Sequence, residues 1–572
     1  MYTLGINAAF HDSAAVILKD GVLLAAAEDE RFTHVKHGKR PIPFLTFELP
    51  FHAINYCLEE AGIHINEVDH VAYSFDPYQL LPHQYLEKDS IPIPLHSGPS
   101  NKESMWINEW DPLFLSSIIN ARLQLQDGYP HHLQKRFIGA NIPEANWHFV
   151  DHHVAHAASA FHASPYREAA VITIDGRGEK ATTTYSIGRD NQLERIAQVN
   201  MPHSLGLLYE RVTTYLGFLH SSDEYKVMAL ASYGKTVFAD VFRSMIRIGN
   251  DGTYTIDNDD LEKHFGPRRL RNEPFTDHHF NIAHSLQLVL EETVLKLADW
   301  FQQKTGMENL CLAGGVALNC VANARIRDKS RFKNVWVQPA AGDAGTALGA
   351  ALWIDSHQRG GSERNFKMDH VYWGPSYSDE QIEKFLNWTK IRHRKLDNIA
   401  AETADILAAD KIIGWFQGRM EFGPRALGSR SILASPINPS MQARLNEVKD
   451  REDFRPVAPV VLEEDAGAWF ENAGYSPFML FINEVKPDKA ELIPAVRHVD
   501  GTARIQTVNK EQHPLYHQLL VEFKKRTGVP VLVNTSFNTL GKPIVCTPRD
   551  AIECFYGSPF DALIIGSFLL EK

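Results

Sequence analysis

Apolar positions along this chain fall into short runs broken by glycine turns and longer stretches with helical spacing, the pattern of a mixed α/β protein. Residues 3–8, TLGINA, and 13–29, SAAVILKDGVLLAAAED, set apolar runs around a Lys-Asp-Gly turn and predict an opening hairpin. Residues 169–176, AAVITIDG, followed after a polar turn by 182–188, TTTYSIG, repeat the order strand, glycine turn, strand. Such repetition predicts a duplicated fold. Residues 281–304 repeat apolar positions at three and four and predict an amphipathic helix leading into a strand, NLCLAGG.

Two stretches interrupt this order. Residues 76–147 are rich in Pro, His, Trp and Gln and read as an insertion near a site, with Tyr78, His83, Trp106 and Trp110 suited to a polar, ring-bearing molecule. Residues 356–370, SHQRGGSERNFKMDH, read as a linker. A second domain follows, with strands expected at 412–417 (IIGWFQ) and within 528–538 (GVPVLVNTSFN), and an edge strand at 457–462 (VAPVVL).

Length and charge narrow the classes. A chain of 572 residues, 44% hydrophobic, calls for two or three domains. A net charge of -12, from 58 basic and 70 acidic side chains, disfavours a surface that tracks nucleic-acid phosphates while allowing a local basic pocket. Five scattered cysteines without CxxC spacing indicate neither a disulfide framework nor a cysteine zinc site, and fit a reducing compartment. The first apolar stretch is broken by Asn7, His11 and Asp12, which argues against a signal peptide or membrane span. These features predict a cytoplasmic protein.

Candidate chemistry is concentrated in a few segments. In DHHVAHAASAFHAS, His152 and His156 lie four apart and share one face of a helix, where two imidazoles can grip one metal or line a core. Asp175 ends a strand in IDGRGE and Asp343 sits in GDAG, beside glycines that allow close approach of a phosphate. Together the four suit iron, manganese or zinc rather than a calcium cage. GGVALN at 314–319 and GDAGTALGAA at 342–351 place small residues at a strand end and a helix start, fitting either phosphate binding or tight helix packing. In GRMEFGPRALGSRS, Arg419, Arg425 and Arg430 stand among glycines that could aim several guanidinium forks at one oxyanion. Lys449, Arg455, Arg504, Asn534 and Ser536 are further anion-site candidates; Arg455 and Arg504 could instead pair with carboxylates such as Glu452 or Asp453.

These segments carry a resemblance. GINAAFHDSAA, AEDERFTHVKH, DHHVAHAASAF, TIDGRGE, HSLGLLYE, EYKVMALASYG, LAGGVALN, GDAGTALGAA, FGPRALGSRS, REDFRPVAP and NTSFN occur in the order found in the NodU/CmcH-type O-carbamoyltransferases of natural-product biosynthesis, which the chain resembles over nearly its whole length. The resemblance implies an α/β protein with a Kae1-like domain of the actin/Hsp70-type ATPase class, built from duplicated ribonuclease H-like halves, over residues 1–365. A YrdC-like α/β domain would cover 366–572. Carbamoyl phosphate would supply carbamate, ATP would activate it as carbamoyl adenylate, and a hydroxyl of an antibiotic- or toxin-type small molecule would receive it.

By the same resemblance, His152, His156, Asp175 and Asp343 hold a metal, Fe2+ with Mn2+ or Zn2+ as alternatives, and Mg2+ accompanies ATP. Gly176, Gly178, Ser204, Gly206, Gly314, Gly315 and Asn319 form the nucleotide cradle. Arg425, Lys449, Arg455, Arg504, Asn534 and Ser536 bind carbamoyl phosphate, with Arg455 and Ser536 also catalytic. His11 is the base for the acceptor hydroxyl, since an imidazole titrates near neutrality, and Asp12 its companion. Glu224 and Tyr225 line the acceptor pocket; Ala229 and Ser232 depart from the Gly and Pro more usual in the family. The partners implied are carbamoyl phosphate and a hydroxylated acceptor, without nucleic acid or membrane, and with a homodimer allowed. Rival readings are a tRNA threonylcarbamoyl-type transferase, which the charge balance disfavours, and a non-catalytic nucleotide-binding regulator.

Overall fold

The computed structural model of the chain describes residues 1–38, 48–81, 111–128, 137–361, 364–539 and 541–572. Tyr78 lies within these; His83, Trp106 and Trp110 lie outside the described residues. The described chain forms two compact units. One comprises Met1–Ser204, Cys311–Gly315 and Ala340–Lys367, the other Leu205–Leu310, Val316–Pro339 and Met368–Lys572. The last junction, Lys367 to Met368, lies beside the expected division at 365/366, while residues 205–310 and 316–339 group with the second unit.

The first unit opens with strands β1 (Tyr2–Asn7), β2 (Ala14–Lys19), β3 (Val22–Glu28), β4 (His70–Tyr73) and β5 (Trp147–Phe149), in the sheet order β3-β2-β1-β4-β5. The expected hairpin is present: β2 and β3 pair antiparallel around Asp20 and Gly21, whose φ of 50° and 78° match the two left-handed positions of a twist-compatible two-residue turn. A second sheet contains β6 (Glu168–Ile174), β7 (Ala181–Arg189), β8 (Gln192–Asn200) and β9 (Asn309–Ala313), in the order β9-β6-β7-β8. In each sheet a three-stranded antiparallel meander comes first, and its first strand is flanked on the other side by a strand from later in the chain. Both meanders are the strand, turn, strand repeats legible in the sequence.

Two helices of this unit, His152–Phe161 and Ala344–Gln358, approach so closely that a Cβ on Gly349 would lie 1.7 Å from the carbonyl oxygen of Ala155. A Cβ on Gly345 would lie 2.0 Å from the Ala340 carbonyl oxygen. Of the two uses that the sequence allows for GDAGTALGAA, these two glycines therefore serve close packing, because no side chain fits there.

The second unit contains the predicted amphipathic helix as Asp277–Thr305, which buries Ile282, Leu286, Val289, Leu290, Val294, Leu297 and Phe301 at spacings of one face. Its main sheet has eight strands: β10 (Arg394–Lys395), β11 (Ile413–Phe416), β12 (Arg430–Ala434), β13 (Ala458–Leu462), β14 (Gln506–Val508), β15 (Val531–Ser536), β16 (Ala562–Ile565) and β17 (Phe568–Glu571). Their order is β10-β17-β16-β11-β12-β15-β13-β14. The expectation of an edge strand at 457–462 is corrected here. β13 lies between β14 and β15, and all five of its residues are buried. An unbroken apolar run marks a strand covered on both faces, and β13 keeps that place although Pro459 within it cannot donate to a ladder. Among the described residues, no helix is long and apolar enough to cross a membrane.

Candidate functional site

In the first unit the side chains of His152, His156, Asp175 and Asp343 converge, each buried, with one donor atom from each lying within 4.8 Å of the others. His152 and His156 stand one turn apart on their helix, and Asp151 caps that helix by accepting the Val154 N–H. Asp175 follows β6. Asp343 occupies the N-cap position of Ala344–Gln358 without a side-chain capping hydrogen bond. His152 Nε2 is 3.5 Å from Asp175 Oδ2, 3.5 Å from Asp343 Oδ1 and 3.2 Å from His156 Nε2; His156 Nε2 is 3.6 Å from Asp343 Oδ1. Ligands of one ion bound at ~2.1 Å stand roughly 3.0–3.6 Å apart, which these four separations match, while His156 Nε2 stands slightly farther, 4.0 Å, from Asp175 Oδ2.

Hydrogen bonds outside the cluster fix its donors. The Ser74 carbonyl lies 3.3 Å from His152 Nδ1, so that nitrogen donates and Nε2 faces the two carboxylates, a donor to them in the protonated ring and the atom that would ligate a metal once that proton is displaced. Asp175 Oδ1 accepts the Gly315 N–H at 2.7 Å, which turns Oδ2 toward the imidazoles. Gly314, at φ +93°, makes this approach possible; a Cβ there would lie 2.2 Å from the Ile174 carbonyl oxygen. Burial alone would neutralise His152, yet Asp343 and Asp175 outweigh it and hold the ring well above its usual pKa. Asp343 is brought down to about 2 against the effect of burial, chiefly by His11. Another histidine of the segment differs: His153 bonds Thr173 Oγ1 at 2.6 Å, and burial and the adjoining imidazoles push it down to about 3, so it is a neutral structural group.

The turn carrying His11 and Asp12 joins this region through Asn7, which donates to the carbonyls of both residues and accepts from Ser74 Oγ. Ser74 Oγ in turn accepts from Thr346 Oγ1, one turn beyond Asp343. His11 Nδ1 lies 2.9 Å from Asp12 Oδ2 and 3.9 Å from Asp343 Oδ2. The expected pair is thus assembled. Burial opposes the ionised Asp12, but His11 and His37 carry its pKa well below the carboxylate range. His37, 2.7 Å from Asp12 Oδ1, was not singled out from the sequence, although it lies in the quoted segment AEDERFTHVKH.

The expected cradle residues are divided. Gly176, Gly178, Ser204, Gly314 and Gly315 lie in the first unit, whereas Gly206 and Asn319 lie in the second. Ser204 Oγ donates to the carbonyls of Asp175 and Gly176, holding the turn after β6. A Cβ on Gly178 would lie 2.9 Å from the His153 ring. Asn319 caps the helix Cys320–Lys329 and exchanges hydrogen bonds with Gln287.

The second unit concentrates positive charge. Arg425 and Arg504 interact repulsively, and both Nε atoms are buried without a hydrogen-bond partner among the described residues. Burial first, then Arg504, draws Arg425 down to about 9, still cationic at neutral pH. Arg455 lies 4.8 Å above the Tyr225 ring, and its Nη1 is 3.5 Å from Glu452, a carboxylate engaged more closely by Lys226 at 2.8 Å. Arg451, which the sequence reading passed over, is also lowered to about 9 by burial and Arg455. Asn534 donates to Gln506 and to the Ala426 carbonyl beside Arg425, and its Oδ1 is buried without a partner among the described residues.

Lys449 is used otherwise: its ammonium donates to the carbonyls of Ser536 and Asn538 and to Asn538 Oδ1, locking the turn after β15. Ser536 Oγ donates to Asn538 Oδ1. Glu224 begins a helix whose next residue is Tyr225. The arginine segment does not act as a block. Arg430 is fully buried, stacked 3.6 Å from the Phe416 ring centre, and donates to the carbonyls of Gln417, Gly418, Ser429 and Pro375, while Arg419 donates to Trp373 and Gly374. The expectation that several of these forks could meet one oxyanion is corrected for Arg430. β12 buries Arg430, and backbone carbonyls take its donors.

A family model described as the carbamoyltransferase N-terminus matches residues 2–352, and one described as the carbamoyltransferase C-terminus matches residues 404–572. The chain belongs to the carbamoyltransferase family. This carbamoyltransferase is 42% identical over 619 residues to an uncharacterized protein of Synechocystis, the match covering 100% of this chain and 97% of that protein. It is 38% identical over 584 residues to nodulation protein NolNO of Sinorhizobium fredii, covering 99% of this chain and 80% of that protein. Among solved structures, HypF of T. kodakarensis is similar at 13% identity and a TM-score of 0.37, over 63% of this chain and 48% of that one.

Proposed function

We propose that this carbamoyltransferase is an ATP-dependent O-carbamoyltransferase working in two stages. Carbamoyl phosphate is hydrolysed to carbamate and phosphate, carbamate displaces pyrophosphate from ATP to give carbamoyl adenylate, and an acceptor hydroxyl then displaces AMP. The observation that carries the first stage is the arginine cluster of the second unit. Arg425 and Arg504 repel as like charges, and their buried Nε donors have no hydrogen-bond partner among the described residues, features suited to a small dianion. Arg455, held over Tyr225, adds a third cation. In this reading the second unit's C-terminal part is YrdC-like, Lys449 shapes the turn bearing Ser536, and Ser536 and Asn534 orient the carbamoyl group.

The second stage belongs to a Kae1-like domain divided from it at 365/366. There His152, His156, Asp175 and Asp343 hold Fe2+, with Mn2+ or Zn2+ as alternatives, since two imidazoles and two carboxylates suit these borderline cations. Such an ion supplies Lewis acidity toward nucleotide phosphate oxygens. Gly176, Gly314 and Gly315 keep the backbone bare beside Asp175, where a nucleotide phosphate can approach. His11 removes the proton of the acceptor hydroxyl: Asp12 accepts from Nδ1, which leaves the neutral ring's lone pair on Nε2. The acceptor is a hydroxylated natural product of antibiotic or toxin type.

The test is mass spectrometry of metal-loaded protein with ATP and carbamoyl phosphate. Carbamoyl adenylate and pyrophosphate from wild type, and neither from Arg455→Ala, would support the reading. Absence of both from wild type would defeat it.

A further inference from the structure

His37 grips the partner of the proposed base from the opposite side. Its Nδ1 lies 2.7 Å from Asp12 Oδ1, while His11 Nδ1 lies 2.9 Å from Asp12 Oδ2. An ionised carboxylate only accepts, so both imidazoles donate from Nδ1, and Asp12 is clasped between two rings. The backbone repeats the clasp: the Asp12 N–H donates to the His37 carbonyl at 2.9 Å. Both residues are left-handed, at φ 50° and 58°, a conformation that non-glycine residues adopt where surrounding contacts enforce it.

Those contacts can be traced. The His37 N–H donates to Glu30 Oε2 at 2.5 Å, Glu30 pairs with the buried Arg31 at 2.8 Å, and Arg31 pairs with Glu28 at 3.0 Å. Gly38 follows at φ +64°, where a Cβ would come 2.9 Å from Ser13 Oγ. His37 Nε2 is buried without a hydrogen-bond partner among the described residues, so Nδ1 alone orients the ring by hydrogen bonding. Asp12, Glu30 and His37 are close enough to hold an ion, each offering a ligand atom within 4.8 Å of the others. Arg31 beside Glu30 and the two N–H donors on Asp12 disfavour a second cation there.

We propose that His37 is a positioning residue for carbamoyl transfer: its Nδ1–H anchors Asp12, and Asp12 thereby holds His11 with its lone pair on Nε2. This deepens the reading of His11 as base and rests on it. A ring on the wrong tautomer presents N–H where a base needs a lone pair, which costs rate without costing affinity for carbamoyl phosphate.

The experiment compares His37→Ala, His37→Asn, His11→Asn and the double variant His11→Asn with His37→Ala. Each metal-loaded protein is assayed with ATP, carbamoyl phosphate and a panel of aminoglycosides, oligosaccharides and glycerol. The Asn amide can donate from the place of Nδ1. His37→Ala is expected to lower kcat for transfer about a hundredfold, with carbamoyl adenylate formation and KM for carbamoyl phosphate unchanged. His37→Asn should recover most of that loss, and the double variant should be no slower than His11→Asn. Transfer by His37→Ala at the wild-type rate would overturn the inference. So would His37→Asn as slow as His37→Ala, equal loss of both stages, or additive losses in the double variant. His11→Asn transferring as fast as wild type would instead remove the reading beneath it.

Discussion

The two units gather charge in opposite ways. In the first, two carboxylates and two imidazoles turn donor atoms toward one spot, and two of the four are oriented from behind, Asp175 by the Gly315 N–H and His152 by the Ser74 carbonyl. In the second, guanidinium groups crowd one another: Arg425 and Arg504 repel, Arg451 feels Arg455, and a carboxylate close by, Glu452, is held by Lys226. Lone pairs gathered in a buried place suit a cation, and N–H donors gathered around like charges suit an anion. The difference teaches which residues are replaceable. Removing a donor from either cluster should spoil binding while sparing the fold, whereas removing a buried group that serves the backbone should do the reverse.

The sharpest break in this comparison should come from Asp175→Asn. It leaves the Gly315 contact possible but removes the charge facing both imidazoles, and metal affinity is expected to fall at least about a hundredfold, read by elemental analysis after dialysis. Next is Arg430→Met, which strands four backbone carbonyls. It should cost about 3 kcal/mol or more of stability in denaturant unfolding, with KM for carbamoyl phosphate unchanged in the folded fraction. Arg425→Ala, five residues earlier, should act oppositely: KM for carbamoyl phosphate rises roughly 10- to 100-fold and the melting transition holds. The smallest effect is expected from His153→Gln, which loses the Thr173 hydrogen bond for about 1 kcal/mol and leaves metal content unchanged.

The same contrast explains what could be read in advance. The opening hairpin, the β6 and β7 pair and the helix Asp277–Thr305 were legible because local periodicity and turn chemistry specify them. The metal candidates were legible in part, since His152 and His156 announce themselves by helical spacing, while Asp175 and Asp343 joined them only as carboxylates beside glycine turns, a weaker signal that the resemblance then reinforced. The 167 residues between the two aspartates carry no local signal of proximity. The arginine segment misled for a related reason. Arg419, Arg425 and Arg430 look alike in sequence, but the burial of β12 assigns Arg430 to backbone carbonyls and leaves Arg425 for the cluster. Lys449 likewise serves its own turn. His37 escaped because its partner Asp12 lies 25 residues earlier and is reached only through two left-handed turns.

The account stands on a division of labour between the two clusters, and one experiment addresses it directly. Synthetic carbamoyl adenylate is given to metal-loaded Arg455→Ala together with the hydroxylated acceptors that wild type carbamoylates, and AMP and carbamoylated product are counted by mass spectrometry. The account predicts that this variant, unable to use carbamoyl phosphate, transfers from the supplied adenylate at close to the wild-type rate with one AMP per product. Failure with the adenylate as well as with carbamoyl phosphate would contradict it, because the arginine cluster would then be needed for both stages.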